Sequence, residues 1–228
     1  MPIVLIAGAG SGLSASLARA FHAKGLIPVL AARDVSKLTD LARETGAITV
    51  AADASTADGV SAIFDAIGAA DGELAVAIYN PSYRVRGPIA EVDPAEVQKA
   101  LQITAYGAFL VGQQAARRML ASGGGTILFT GASAGVKGYP LSAAFAMGKF
   151  ALRGLAQSMA RELHPKGVHV AHVVIDGMIR NPGRTEPADK PDSMLDPDAI
   201  AETYVQLAQQ DRSIWTWEVE VRPWVENF

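Results

Sequence analysis

IVLIAGAGSGLSASLARAF, residues 3–21, is the stretch whose reading decides the fold. Ile3 to Ala7 form an unbroken apolar run that stops at glycine, the pattern of a buried strand. From Leu13 the period changes: Leu13, Leu17, Ala20 and Phe21 fall on one helical face. Between the two lies GAGSG, 8–12, with Gly8, Gly10 and Gly12 alternating with small residues. Such a turn lets a pyrophosphate approach the backbone, and the following helix offers N–H donors at its positive end. The strand–turn–helix setting is the one this reading requires. The other reading is a tight turn that holds no ligand.

The same rhythm continues outward. Apolar runs at 27–32, 48–53, 74–80, 125–131 and 168–175 predict strands. Helical periodicity predicts helices at 13–24, 35–44, 57–69, 94–121 and 142–163. Pro197 opens a last helix to about 210, and 217–223 alternates as a final strand. Strands alternating with helices imply right-handed crossovers and a parallel sheet. The expected fold is therefore α/β: one Rossmann-type doubly wound domain over 1–228, with about seven strands and helices on both faces. Residues 179–196, rich in proline and charge, break the pattern and read as an irregular substrate lid.

Composition narrows the function. Twenty Lys and Arg against 23 Asp and Glu give a net charge of −3, which argues against a nucleic-acid partner. The chain has no Cys, so disulfides, thiolate nucleophiles and cysteine metal sites are excluded. The first ten residues are too short for a membrane span and lack a basic leader region, so a cytoplasmic protein without membrane association is expected. His169 and His172 lie three apart on a strand and point to opposite faces. His22 and His164 lie on or near helices, and no acidic cluster has ligand spacing, so no metal is expected.

The strand ends carry the chemistry. Ala32 offers no carboxylate to a ribose, and Arg33 follows it, with Ser11 in the glycine turn. A cation there favours a 2′-phosphate, hence NADP over NAD; alternatively Arg33 is a solvated cation at a helix start. Asp53 either accepts from an adenine amino group or caps the helix near Thr56. Asn80 ends the fourth strand, where ligands of open parallel sheets sit.

With these motifs in order, the chain resembles the classical-type short-chain dehydrogenase/reductases over nearly all of its length. AGAGSGLS, 7–14, is similar to the family's TGxxxGxG; Gly8 and Gly12 agree, Ala7 and Ser14 differ. YNPS, 79–82, corresponds to NNAG, with Asn80 in common, and Asp53 falls on the adenine-side aspartate. FAMGK, 145–149, corresponds to YxxxK: Lys149 is kept, and Phe145 stands in place of the active-site Tyr. Thr104 in ITAYGAF takes the Asn position, Ala132 or Ser133 the Ser position, and Asp176–Gly177 the PG position. The resemblance implies hydride exchange between a nicotinamide and a carbonyl or alcohol. It implies a cofactor site of Gly8, Gly10, Ser11, Gly12, Leu13, Arg33, Asp53, Ala54, Asn80, Lys149, Gly177 and Ile179. It also implies a homodimer or homotetramer, formed through the last strand and the helix bearing Ala146, Phe150, Leu152, Leu155 and Met159.

The acid half of the site is altered. A phenyl ring has no proton to give and cannot hydrogen-bond a developing alkoxide. Ser133 can hold a carbonyl oxygen, Tyr139 precedes the helix and can swing over the site, and Asp176 is a carboxylate at a strand end. Tyr106 faces away from Thr104. Lys149 either binds ribose hydroxyls and sets a positive potential or is a cation on the helix surface. Trp215 and Trp217 are expected on one face of the final strand, with Glu218 and Glu220 on the other, facing solvent or an interface. The expected function is an NADP-dependent oxidoreductase of a small-molecule substrate with a nonstandard proton donor. The alternative is an NADP(H)-binding protein without turnover, acting as a sensor or regulator.

Overall fold

Each apolar run of the sequence becomes a strand, and each helical period returns the chain to the start of the next. The computed structural model describes residues 1–226. In chain order the elements are β1 (Pro2–Ala7), α1 (Leu13–Ala23), β2 (Ile27–Ala32), α2 (Thr39–Thr45), β3 (Ile48–Ala51), α3 (Ala57–Ala69), β4 (Glu73–Tyr79), α4 (Pro94–Leu101), α5 (Gly107–Ser122), β5 (Gly125–Thr130), α6 (Ala143–Leu163), β6 (Val168–Ile175), β7 (Met178–Ile179), β8 (Met194–Leu195), α7 (Pro197–Ala208) and β9 (Glu218–Val221). Seven strands form one sheet in the order β3-β2-β1-β4-β5-β6-β9, and every pairing is parallel. The fold is thus a single-domain Rossmann-type sheet with helices on both sides. Strand order reverses between β1 and β4, which opens a crevice at their carboxyl ends.

Alternation along the strands divides the core in two. Ile3, Leu5, Ala77, Tyr79, Ile127 and Phe129 pack under α3, α5 and α6. Val4, Ile6, Ile78, Leu128, Ala171 and Val173 pack under α1, α2 and α7. The central strands β1, β2, β4 and β5 are mostly apolar because both faces are covered, whereas the edge strand β9 alternates Glu and Val. Among the described residues, no helix is long and apolar enough to cross a membrane.

Three expectations change. The helix expected over 94–121 is α4 and α5 joined by a π-helical turn, Gln102–Tyr106. The turn holds the buried Thr104, and such bulges inside helices often mark functional sites. On α6, Leu152 is fully buried, and Met159 meets Gly112 of α5. Of the large apolar residues expected at an interface on α6, Phe150 is exposed, and Met147, not among them, is exposed beside it. Finally, the last strand begins only at Glu218. Trp215 lies before it, stacked on His169 with 4.9 Å between centroids, while Trp217 packs on the α6 side.

Glu218 is also not a solvent-facing glutamate. Its carboxylate accepts from Arg153 Nε and Nη2 at 2.6 and 2.7 Å, and His172 Nδ1 lies 3.0 Å from Oε2. Parallel pairing sets His172 beside Glu218, so both turn toward α6, where Arg153 waits. Burial alone would raise the Glu218 carboxyl, but the hydrogen bonds from Arg153 and His172 outweigh it and hold it below its usual value. Burial lowers the His172 imidazole to about 4, partly offset by Glu218. The unfolded chain therefore takes up this proton first as pH falls from 6.5 toward 4, and stability is lost over that window. At about 1.4 kcal/mol per pH unit, His172 accounts for roughly 3 kcal/mol. Thermal unfolding between pH 7 and 4 is expected to show a steep loss, shallower in His172→Gln; equal slopes in the two proteins would contradict this.

Candidate functional site

The glycine turn is fixed by contacts to both neighbouring strands. Gly8 and Ala9 N–H groups donate to Ala31 O at 3.0 and 2.9 Å. Gly8 has a φ of +78°, and a Cβ there would come within 2.6 Å of Pro81 Cγ, so only glycine fits. A Cβ on Gly10, by contrast, would meet nothing within 4 Å. Helix α1 then starts at Leu13 with no side-chain cap at Gly12. Its first N–H groups are open to an anionic ligand, which the helix dipole favours.

Ser14 and Asn80 tie this turn to the end of β4. Asn80 Nδ2 donates to Ser14 Oγ at 2.8 Å, and Ser14 Oγ donates to Gly8 O at 3.0 Å. Ser14, which departs from the family pattern, is thus a working brace that sequence reading missed; a hydroxyl does by side chain what a glycine there cannot. Thr56 caps α3 by accepting from Gly59 N, so Asp53 is not the cap. Asp53 Oδ1 instead accepts from Ser55 N and Oγ at 2.9 and 2.7 Å. Burial would raise its carboxyl, but the Ser55 hydrogen bonds and the Arg33 charge outweigh that and lower it.

A cleft of about 550 Å³ opens along the carboxyl ends of these strands. Gly8, Gly10, Ser11, Arg33, Asp53, Ala54 and Asn80 all border it. Arg33 is exposed, and Lys37, a cation not singled out in the sequence, lines the same end. Gly12, Leu13, Lys149, Gly177 and Ile179 are not among its walls. A larger hollow, about 900 Å³, lies at the opposite strand ends around Met1, Gly72, Gly125 and Trp215. Ligands of open parallel sheets bind at the carboxyl ends, so the smaller cleft is the candidate site.

The other residues expected of the site lie on or beside β5 and α6. Lys149 is buried, and Nζ donates to Thr130 O at 2.6 Å. Burial, with no carboxylate to offset it, lowers its ammonium to about 7. It is therefore not a helix-surface cation. Its Nζ lies 5.9 Å from the Phe145 ring centroid. Gly148 brings α6 against Thr104, since a Cβ there would sit 3.0 Å from Thr104 Cβ. Thr104 Oγ1 accepts from Tyr83 N at 3.2 Å.

Ser133 opens a 3₁₀ turn after β5, with Ala132 extended before it. Asp176 is buried at the end of β6 and lies 3.7 Å from Lys137 Nζ and 3.8 Å from Arg222 Nη2. Tyr139 is 40% exposed, with Lys137 Nζ 5.6 Å from its ring centroid. In the segment 179–196, β7 and β8 pair in parallel, and Arg180 Nη2 bonds Asp196 at 2.8 Å. Asn181 lies over the glycine turn, 3.6 Å from where a Gly12 Cβ would be.

The model of the short chain dehydrogenase family matches residues 2–192. The chain is 31% identical over 181 residues to the cyclic-di-GMP-binding biofilm dispersal mediator protein of Escherichia coli (strain K12), covering 77% of this chain and 72% of that one. Among solved structures, a short-chain dehydrogenase from Rhodopseudomonas palustris is 39% identical, with TM-score 0.84 and coverage of 98% and 99%. A metagenomic short-chain oxidoreductase in complex with NADP is 29% identical, with TM-score 0.85 and 97% of each chain covered.

Proposed function

Because the chain belongs to the short chain dehydrogenase family, we propose that it is an NADP-dependent oxidoreductase acting on a carbonyl or alcohol of a small molecule. The observation that carries this reading is the glycine turn facing an open cleft, with Arg33 and Lys37 at the cleft's far end. The similar metagenomic oxidoreductase was solved with NADP, which supports the same cofactor here. In this reading the turn and the start of α1 bind the pyrophosphate, Asp53 and Ala54 border the adenine, and Arg33 with Lys37 binds the 2′-phosphate. Asn80 acts by fixing Ser14 and the turn. When bound, the reduced nicotinamide supplies a hydride to the carbonyl carbon.

This chain must then supply a proton to the carbonyl oxygen. Phe145 cannot. Lys149 is the best-placed group: it is buried one helical turn beyond Phe145, and its ammonium is lowered by burial to about 7. A general acid works best with a pKa near the operating pH. Ser133 orients the carbonyl oxygen, and Thr104 holds the Tyr83 backbone rather than a water. Tyr139, which has a hydroxyl to give, is the second-choice donor, whereas Asp176 lies between the cations of Lys137 and Arg222, which suits it to ion pairing rather than proton supply. Residues 179–196 act as the substrate lid, with Gly177 and Ile179 at its root and Asn181 over the turn. The whole chain is then one dinucleotide-binding unit.

Exposed Tyr106 and Phe109 on the α4–α5 segment, and Met147 and Phe150 on α6, support a homo-oligomer joined through these helices. A second reading is nucleotide binding without turnover. It is favoured by Phe145 itself and by the Escherichia coli relative, a cyclic-di-GMP-binding biofilm dispersal mediator protein. Arg33→Ala tests the cofactor assignment. NADPH affinity is expected to fall about 10- to 100-fold, as for a lost charged hydrogen bond, with NADH affinity nearly unchanged. An equal effect on both nucleotides would remove Arg33 from the 2′-phosphate site.

A further inference from the structure

We infer that Arg84 is a carboxylate-binding residue at the mouth of the active site, so that the substrate is a carbonyl or hydroxyl compound bearing a carboxylate. The inference rests on the proposed oxidoreductase reading and names the substrate class of that same site. Arg84 places its guanidinium carbon 5.2 Å from the centroid of the Phe145 ring. Phe145 occupies the position from which a proton donor would reach the substrate oxygen. The guanidinium therefore lies beside the reacting position and is exposed.

Its placement is built. The residue before it is fixed by the bond from Tyr83 N to Thr104 Oγ1 at 3.2 Å. Tyr83 is fixed again through its hydroxyl, which donates to Glu96 Oε2 at 2.6 Å. Three residues after Arg84, Gly87 N donates to Leu141 O at 3.1 Å, and Leu141 holds a φ of +60°, unusual for a branched side chain. The Arg84 backbone thus spans the π-turn of the α4–α5 segment and the loop that leads into α6.

Its charge is uncommitted. Among the described residues, Arg84 makes no ion pair and no hydrogen bond. The other cation over the Phe145 ring, Lys149, is engaged with Thr130 O. A guanidinium over an aromatic ring keeps its N–H donors for other partners, and its planar fork suits bidentate capture of a carboxylate. One free guanidinium matches one negative charge, which favours a monoanionic carboxylate over a phosphate dianion. The Phe145 ring beside it suits an apolar body between the carboxylate and the reacting carbon.

The test uses cyclohexanecarboxylate and its neutral amide as matched probes, titrated calorimetrically into the whole protein with and without saturating NADP⁺. The acid is expected to bind at least about tenfold tighter than the amide, the effect of one charge-assisted pair. Arg84→Gln is expected to erase that preference and Arg84→Lys to keep part of it. Equal binding of acid and amide, no binding of the acid, or a preference retained in Arg84→Gln would overturn the assignment. Failure of NADP⁺ itself to bind would instead defeat the cofactor reading, and the titration without nucleotide would then decide Arg84 separately.

Discussion

Phe145→Tyr is expected to raise NADPH-dependent carbonyl reduction by about 10²- to 10⁴-fold, the usual worth of a positioned proton donor. The surroundings needed by a tyrosine are already in place. Lys149 Nζ lies 5.9 Å from the ring centroid, and Arg84 lies at 5.2 Å. A phenol introduced between two cations would be drawn toward its ionised form, which makes it a better acid in the pH range where Lys149 is charged. The measurement is NADPH consumption with a panel of ketones and oxo acids by wild type and variant. No gain, in a variant that folds and binds NADPH, would show that proton supply is not what limits this site. A large gain over an inactive wild type would favour the reading in which the natural protein binds nucleotide without turnover.

Lys149→Met is expected to produce the opposite pair of effects: loss of reduction and a gain in stability. The side chain is fully buried, and its ammonium has a carbonyl but no carboxylate as partner. Replacing a buried charge by an apolar chain of similar length is often stabilising by about 1–4 kcal/mol, and active-site groups are where such gains cost function. The sign depends on pH. The folded-state ammonium titrates near 7, and in the unfolded chain near the ordinary 10.5. Below pH 7 the native protein carries the full cost of a buried charge. From pH 7 toward 10.5 the unfolded chain holds more protons, so wild-type stability rises. The advantage of Lys149→Met should therefore be largest near pH 6 and shrink above pH 7. A less stable variant at pH 6 would mean that the Thr130 hydrogen bond outweighs the desolvation of the ammonium.

How far the sequence could be read follows from the range of the interactions involved. The sheet was legible because Ile3–Ala7 and its counterparts are local apolar runs, and a parallel sheet covered on both faces needs such runs. The glycine turn was legible because the strand–turn–helix setting is local in sequence, and the positive φ and close approach at Gly8 demand glycine there. The π-turn at 102–106 was not legible: ITAY carries helical residue types, and only packing against Gly148 and Tyr83 adds its extra residue. Lys149 stood open between a ribose ligand and a surface cation, because burial is a property of the assembled β5–α6 layer. Glu218 pointed inward for a similar reason: β9 joins the sheet beside β6, and its register with His172 is set far away in the sequence. Arg84 gave no signal at all. Its meaning comes from a ring 61 residues later, brought alongside by two backbone bonds.

The most direct measurement is a fluorescence titration of the purified protein with NADPH and with NADH. Saturable NADPH binding, with NADH at least about tenfold weaker, is the expected result, since the 2′-phosphate would meet Arg33 and Lys37. Binding of neither nucleotide would contradict the account at its base, because the glycine turn, the uncapped start of α1 and the cleft beyond them would then serve some other ligand.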